Sequence, residues 1–416
     1  MRDVRVVITG LGAVTPLGNS AKDFWKGAIE GKNGVGLITK YDYEDLKTHF
    51  ACEVKDFDPT KYLDRNEIKR SDLFTRYSLY SASEAVEDSG IDFESMNPYD
   101  SGVIWATGKG GVKSYDDEVK EYFLNGGPPR FSPFFVPKVI PNIASGMISM
   151  KFGLMGVNFT TVSACAASNH AIIEAYNNII LGKAKVIIAG GAEAGITIPV
   201  MAGFSSMRAL SSDNENYEGA SRPFDVNRNG FVMGEGGAAL VLEEYEHAKA
   251  RGAKIYAEVA GTGATADAYH LSSSHPEGLG AIRSMELALA EAGVNKNEVD
   301  YINAHATSTP VGDISEIRAI EKVFNGNYDG LVVGGSKSMT GHLIGGAGAV
   351  EGVLSAMAVH ENIVPPTINT EELDPAIPEG LTIAGKEATE KKVNVTISNT
   401  FGFGGHNTSV LFKSID

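Results

Sequence analysis

The feature that most narrows the choice of fold is a unit that occurs twice: an apolar strand, a turn of small residues, and an apolar helix. Its first copy runs from Val157 to Ile180, VNFTTVSACAASNHAIIEAYNNII. Val157 to Val162 predicts a buried strand, Ser163 to Ser168 a turn, and the remainder a helix ending at Ile180. The second copy, LVVGGSKSMTGHLIGGAGAVEGVLSAMAV (Leu331 to Val359), keeps this order, and Gly335-Ser336-Lys337 is its expected counterpart of Ala164-Cys165. Further strands are expected at Val4 to Ile8, Ser101 to Ala106, Lys185 to Ala189 and Ala238 to Leu242, with a helix from Tyr245 to Arg251. The second half adds a strand from Val299 to His305, a helix from Ile314 to Phe324, and a hairpin in VNVTISNTFGFGGHNTSVLF. The chain thus predicts an α/β protein of two duplicated halves, 1–255 and 256–416, packed as one rigid body because no low-complexity linker separates them. Doubling of this kind sets the loops at the strand C-termini of the two halves against each other, where open α/β sheets build sites.

Composition excludes several classes of function. A formal net charge of −16 argues against nucleic acid and anionic membrane as partners, so an acidic partner must meet a local basic patch. No run approaches the roughly 18 apolar residues of a membrane span, and MRDVRVVITGLG enters a strand pattern without an apolar signal core; a cytoplasmic location is expected. The two cysteines, Cys52 and Cys165, make no disulfide framework and fit a reducing compartment.

Gly10-Leu11-Gly12 resembles a dinucleotide loop, but Thr15 stands where the third glycine belongs, and a glycine-rich strand-to-helix turn is the better reading. Arg65, Lys69, Arg70 and Arg76 concentrate positive charge in an otherwise acidic chain, as a solvated helix face or a docking patch. NGGPPRFSPFFVPK (Asn125 to Lys138) reads as a rigid irregular excursion.

Chemistry gathers at the strand ends. Cys165 lies where a strand hands over to a helix, so the helix dipole favours its thiolate, the nucleophilic form. His305, Lys337 and His342 also lie just past strand ends, and their spacing with Cys165 is not that of a zinc ligand set, so no metal is expected. A thiol with two imidazoles can hold an acyl group while an enolate oxygen is stabilised nearby.

Six ordered motifs carry a resemblance along nearly the whole chain: ITGLGAVTPLG, SACAAS, RPFDVNRNGFVMGEG, HATSTPVGD, KSMTGHLIGGAGAVE and NTFGFGGHN. The chain resembles the β-ketoacyl-acyl carrier protein synthases of the elongating, type II kind. That resemblance implies a thiolase-like five-layer α-β-α-β-α fold, a homodimer, and a decarboxylative Claisen condensation in fatty-acid elongation. It also implies acyl carrier protein as partner and no cofactor beyond the 4'-phosphopantetheine of that carrier. By the same resemblance Cys165 carries the acyl chain, and its N–H and that of Phe403 form the oxyanion hole. His305 and His342 face the malonyl thioester, with Lys337 and Glu351 ordering them. Thr307 and Thr309 bind the pantetheine arm, and Phe401 and Phe403 border the acyl pocket. Because acyl carrier proteins are acidic, docking is expected through the basic residues Lys69, Arg70 and Arg208 of this otherwise acidic chain.

Three departures stand out. Ala306 replaces a glycine usual after the first catalytic histidine. Val162-Ser163 and Asn169-His170 alter the flanks of the cysteine motif. Lys109, in TGKGG, takes the place of an apolar residue at the far end of the acyl pocket, which argues against an ordinary long saturated substrate. Three other readings are a ketosynthase of a specialised polyene or polyketide pathway, a non-catalytic partner subunit of the same fold, and a thiolase acting on coenzyme A esters. The presence of Cys165, His305 and His342 speaks against the silent partner. The lack of a second cysteine in NTFGFGGHN speaks against the thiolase.

Overall fold

The computed structural model describes residues 4–126 and 131–415. Ten strands form two five-stranded sheets of matching order, joined edge to edge into one continuous sheet that the short strand Thr382–Ile383 extends by pairing in parallel with Val332–Gly334. In the first half these are β1 (Val6–Val14), β2 (Ser101–Ala106), β3 (Asn158–Thr161), β4 (Val186–Glu193) and β5 (Gly236–Glu244). In the second they are β6 (Ala257–Ala266), β7 (Tyr301–Asn303), β8 (Val332–Gly334), β9 (Val395–Gly402) and β10 (His406–Lys413). The spatial order is β3-β2-β4-β5-β1 in the first sheet and β8-β7-β9-β10-β6 in the second, so each strand's counterpart is the one five later. The pairing types also match. β2 pairs β3 and β4 in parallel and β4 pairs β5 antiparallel; likewise β7 pairs β8 and β9 in parallel, and β9 and β10 form the antiparallel hairpin. Three residue pairs of β1 and β6, from Val6–Val259 to Ile8–Ala257, join the sheets.

Five helices complete the layers: α1 (Leu73–Ser89), α2 (Ala167–Ile180), α3 (Leu279–Ala292), α4 (Pro310–Phe324) and α5 (Ala347–Glu361). Strand periodicity decides which face meets which helix. Val186, Ile188, Ala239 and Val241 pack outward against Phe74 and Tyr77 of α1, whereas Ile187, Ala189, Leu240 and Leu242 pack inward against α2 and α5. On the other sheet Val410 and Phe412 face the same central pair, and Ile302, Ile397 and Leu411 face Met285, Ile317 and Ile320 of α3 and α4. The result is the five-layer α-β-α-β-α order.

The two central helices approach closely because α5 is rich in small residues. A Cβ on Gly348 would come within 2.6 Å of Asn169 Oδ1, and the Ala349 N–H donates to Ser168 Oγ at 2.9 Å. Such a helix, buried all round, has no polar face to present to water.

Three sequence expectations change. Gly10-Leu11-Gly12 lies inside β1 rather than in a turn, because α1 crosses directly over it: a Cβ on Gly10 would sit 2.1 Å from Ala85 O, and on Gly12 2.0 Å from Ser81 O. β3 is an edge strand, not a buried one, with Phe159 37% exposed, and it ends at Thr161, before Val162, which is 55% exposed. The excursion from Asn125 to Lys138 becomes helical at Phe135–Val139, while residues 127–130 lie outside the described residues.

Candidate active site

Cys165 occupies a one-turn 3₁₀ segment, Ala164–Ala166, that leads straight into α2. Its structural counterpart is not Gly335-Ser336-Lys337 but Ile344–Gly346, the 3₁₀ turn that leads into α5. Ala164 (φ 51°) and Ile344 (φ 47°) share the same left-handed backbone, which few non-glycine residues adopt. The difference arises because the second half inserts a one-turn helix, Lys337–Thr340, between β8 and this turn. That insertion brings His342 against Cys165 and puts the charge of Lys337 within electrostatic reach of the thiol.

His342 Nε2 lies 3.0 Å from Cys165 Sγ. Its backbone is pinned on both sides: its N–H donates to Val232 O at 2.8 Å, and its carbonyl accepts from Gly234 N–H at 2.9 Å. Phe231 meets the imidazole edge-on at 5.3 Å. The His305 ring, just past β7, stands 5.3 Å from that of His342 at 86°, with Phe401 5.7 Å behind it. Ligand atoms of Cys165, His305 and His342 all lie within 4.8 Å of one another. Lys337 and Glu351, both almost fully buried, form an ion pair beneath the histidines.

Burial sets the electrostatics. It pushes the Cys165 thiol up to about 11, against the pull of Lys109, Lys337 and the Phe403 N–H, so the expected thiolate gives way to a thiol whose proton must leave as sulfur attacks. Burial and then Lys337 hold His305 and His342 well below the usual imidazole value, so both are neutral near pH 7. Glu351 is raised to about 7 by burial, with Lys337 opposing. Cys52 is also buried, and burial raises its thiol; it takes no part in the cleft.

Cys165, His305 and His342 lie in a cleft of about 530 Å³ whose walls include Thr307, Thr309, Phe401 and Phe403. The Thr307 and Thr309 hydroxyls are 3.1 Å apart. Gly402 is packed against the nucleophile's turn, where a Cβ would lie 3.1 Å from the Cys165 nitrogen. Lys109 lines the same cleft, and Arg208, exposed and left-handed at φ 56°, borders it. Lys69 and Arg70 are not part of it. They lie exposed on the short helix Arg65–Arg70, where Arg70 stacks over Phe134 at 5.4 Å and borders a separate groove.

Sequence reasoning missed two carboxylates. Glu316 of α4 accepts the His305 N–H at 3.0 Å, the Ala306 N–H at 2.9 Å and Asn399 Nδ2 at 3.1 Å, holding a loop in which Ala306 has φ 28°. Glu193, at the end of β4, accepts the Gly108 N–H at 2.6 Å and the Gly345 N–H at 3.1 Å, so it ties the Lys109 loop to the turn above α5. The available signal for Glu316 was a charge on the apolar stripe of Ile317, Ile320 and Val323.

Family comparison gives this geometry a context. The model of the beta-ketoacyl synthase N-terminal domain matches residues 3–248, and that of the C-terminal domain residues 256–371. This chain belongs to the beta-ketoacyl synthase family. The synthase is 47% identical over 409 residues to the 3-oxoacyl-[acyl-carrier-protein] synthase 2 of Synechocystis sp., covering 98% of each chain. It is 45% identical over 421 residues to the enzyme of the same name from Coxiella burnetii, covering both chains in full. Among solved structures, a beta-ketoacyl synthase from Burkholderia phymatum matches at TM-score 0.91 and 34% identity, over 99% of this chain and 100% of that one. The ishigamide ketosynthase/chain length factor matches at TM-score 0.92 and 32% identity over the same shares. A type II polyketide ketosynthase solved in complex with its acyl-carrier protein matches at TM-score 0.90 and 28% identity, again over 99% and 100%. The synthase therefore has the thiolase-like ketosynthase fold. It is an acyltransferase that condenses an acyl group with malonyl-acyl carrier protein to give the 3-oxoacyl-acyl carrier protein of fatty-acid elongation.

Proposed function

We propose that Cys165 carries the acyl chain and that His305 and His342 serve the malonyl half of the reaction. The observation that carries this reading is the 3.0 Å contact of His342 Nε2 with Cys165 Sγ, with His305 edge-on beside it. In loading, the sulfur attacks the carrier thioester while its proton passes through His342 to the departing carrier thiol. The Cys165 and Phe403 N–H groups stabilise the tetrahedral oxyanion. In the second half-reaction the malonyl C–C bond breaks, carbon dioxide leaves, and the electron pair becomes an enolate whose oxygen accepts from the two neutral imidazoles. The enolate carbon attacks the acyl thioester, and Cys165 leaves as thiolate and regains a proton. Burial, aided by Lys337, keeps both imidazoles neutral, and Glu351 holds Lys337 in place.

Thr307 and Thr309, paired at the cleft wall, suit the amides of the pantetheine arm. The steps are redox-neutral and every proton transfer has a side chain, so no resident cofactor or metal is required. The partner is acyl carrier protein, a reading that the related polyketide ketosynthase, solved with its own carrier, supports; the exposed Lys69, Arg70 and Arg208 are its docking residues. The working form is a homodimer paired along the β3 edge, in the cytoplasm. No helix among the described residues is long and apolar enough to cross a membrane. The functional halves divide near residue 255, between the nucleophile and the histidine pair.

Separate assays of loading and decarboxylation test the assignment. Cys165→Ala should abolish acyl loading, seen by intact mass, yet retain malonyl decarboxylation. His305→Ala should lose decarboxylation by about a hundredfold or more while its thiol still alkylates. Normal condensation by Cys165→Ala would rule the nucleophile out. In the same assay, Lys69→Glu/Arg70→Glu should raise KM for carrier-bound substrate only; equal losses with small thioester mimics would remove these residues from docking.

A further inference from the structure

The cleft holds one cation that these steps do not need. Lys109 follows Gly108 in the loop after β2, and its Nζ is shielded from solvent without a hydrogen-bond partner among the described residues. It stands 5.0 Å from the centre of the Phe204 ring, and both side chains line the cleft that contains Cys165. The loop is fixed in this position by Glu193 Oε2, which binds the Gly108 and Gly345 N–H groups. Its other oxygen, Oε1, is likewise buried and unpaired.

A shielded ammonium without an acceptor is costly, and an alkyl chain laid against it would offer it none. An oxygen on the bound chain would supply the missing acceptor, and a hydrogen bond to a charged donor is among the stronger ones. The same burial that raises the neighbouring Glu193 carboxyl would penalise a carboxylate on the chain, so the vacancy suits a neutral oxygen better than an anion. We propose that Lys109 is a specificity-determining residue that selects acyl chains bearing a neutral hydroxyl or keto oxygen over plain alkyl chains. The proposal rests on the reading that the acyl group is held on Cys165 in this cleft.

The test is a panel of carrier-bound acyl thioesters of matched length, either unsubstituted or carrying one hydroxyl or keto group at successive positions. Condensation is followed as kcat/KM, and loading on Cys165 by intact mass. Wild type should favour the oxygenated chain at one position by about tenfold or more over its alkyl match. Lys109→Met should erase that preference and raise kcat/KM for the alkyl chain, whereas Lys109→Arg should keep part of it. Absence of any preference in the wild type, or its survival in Lys109→Met, overturns the proposal. The wild-type profile decides this even if Lys109→Met does not fold. Failure of every chain to load on Cys165 would overturn the acyl-enzyme assignment, and this proposal with it.

Discussion

Cys165 shows how one residue can be well placed and still not be ionised. The turn before α2 offers it backbone N–H groups and the positive end of a helix, but desolvation outweighs both and raises the thiol to about 11. Its reactivity then comes from His342, 3.0 Å away, as acceptor of the proton during attack. The expected consequence is a pH profile unlike that of an exposed cysteine. Iodoacetamide alkylation of Cys165 in the free enzyme should rise about tenfold per pH unit past pH 9, where an ordinary thiol levels off. A plateau near pH 7 would mean a thiolate–imidazolium pair instead. His305 and His342 have the opposite environment-driven shift: their depressed values keep them neutral, so decarboxylation should show no acid limb at the usual imidazole value.

Among the elements, β1 and α1 are the instructive pair. VVITGLGAV has glycines where α1 lies on the strand, and the clearance leaves no room for a methyl group at Gly12, whose Cβ would meet Ser81 O at 2.0 Å and Ala85 N at 2.8 Å. Gly12→Ala should therefore destabilise the fold by roughly 2 kcal/mol or more through overpacking against backbone that cannot yield, as read from urea unfolding. A change under about 0.5 kcal/mol would show that α1 can shift without loss. The same reasoning explains the glycines of GGAGAVEG: Gly348 and Gly352 let α5 lie against Asn169 and Ile172 of α2, and Gly345 lets the turn before α5 meet the backbone of Thr107 and Gly108.

At the scale of the whole molecule, the exposed β3 edge asks for a cover. Phe159 on this edge strand and Val162 just past its end stand open, and such edges pair with other chains unless blocked. The proposed homodimer joins the sheets of two copies there. Phe159→Lys should convert it to monomer by sedimentation analysis and lower activity through the lost support of the nearby Cys165 turn; a stable dimer in that variant would place the interface elsewhere. How much of this was legible in sequence follows from the range of each cause. Periodicity and composition alone determined the α/β class, the duplication, the helix ending at Ile180, the strand Ser101–Ala106 and the hairpin around Phe401 and Phe403, because those depend on local alternation and turn chemistry. The motifs marked Cys165, His305 and His342. Tertiary structure alone decided that Gly345 rather than Lys337 mirrors Cys165, that Glu316 holds the His305 loop, and that Lys109 turns into the cleft without a hydrogen-bond partner among the described residues. Each of these depends on chain segments far apart in sequence meeting at one point, and on the desolvation that follows, neither of which a local pattern contains.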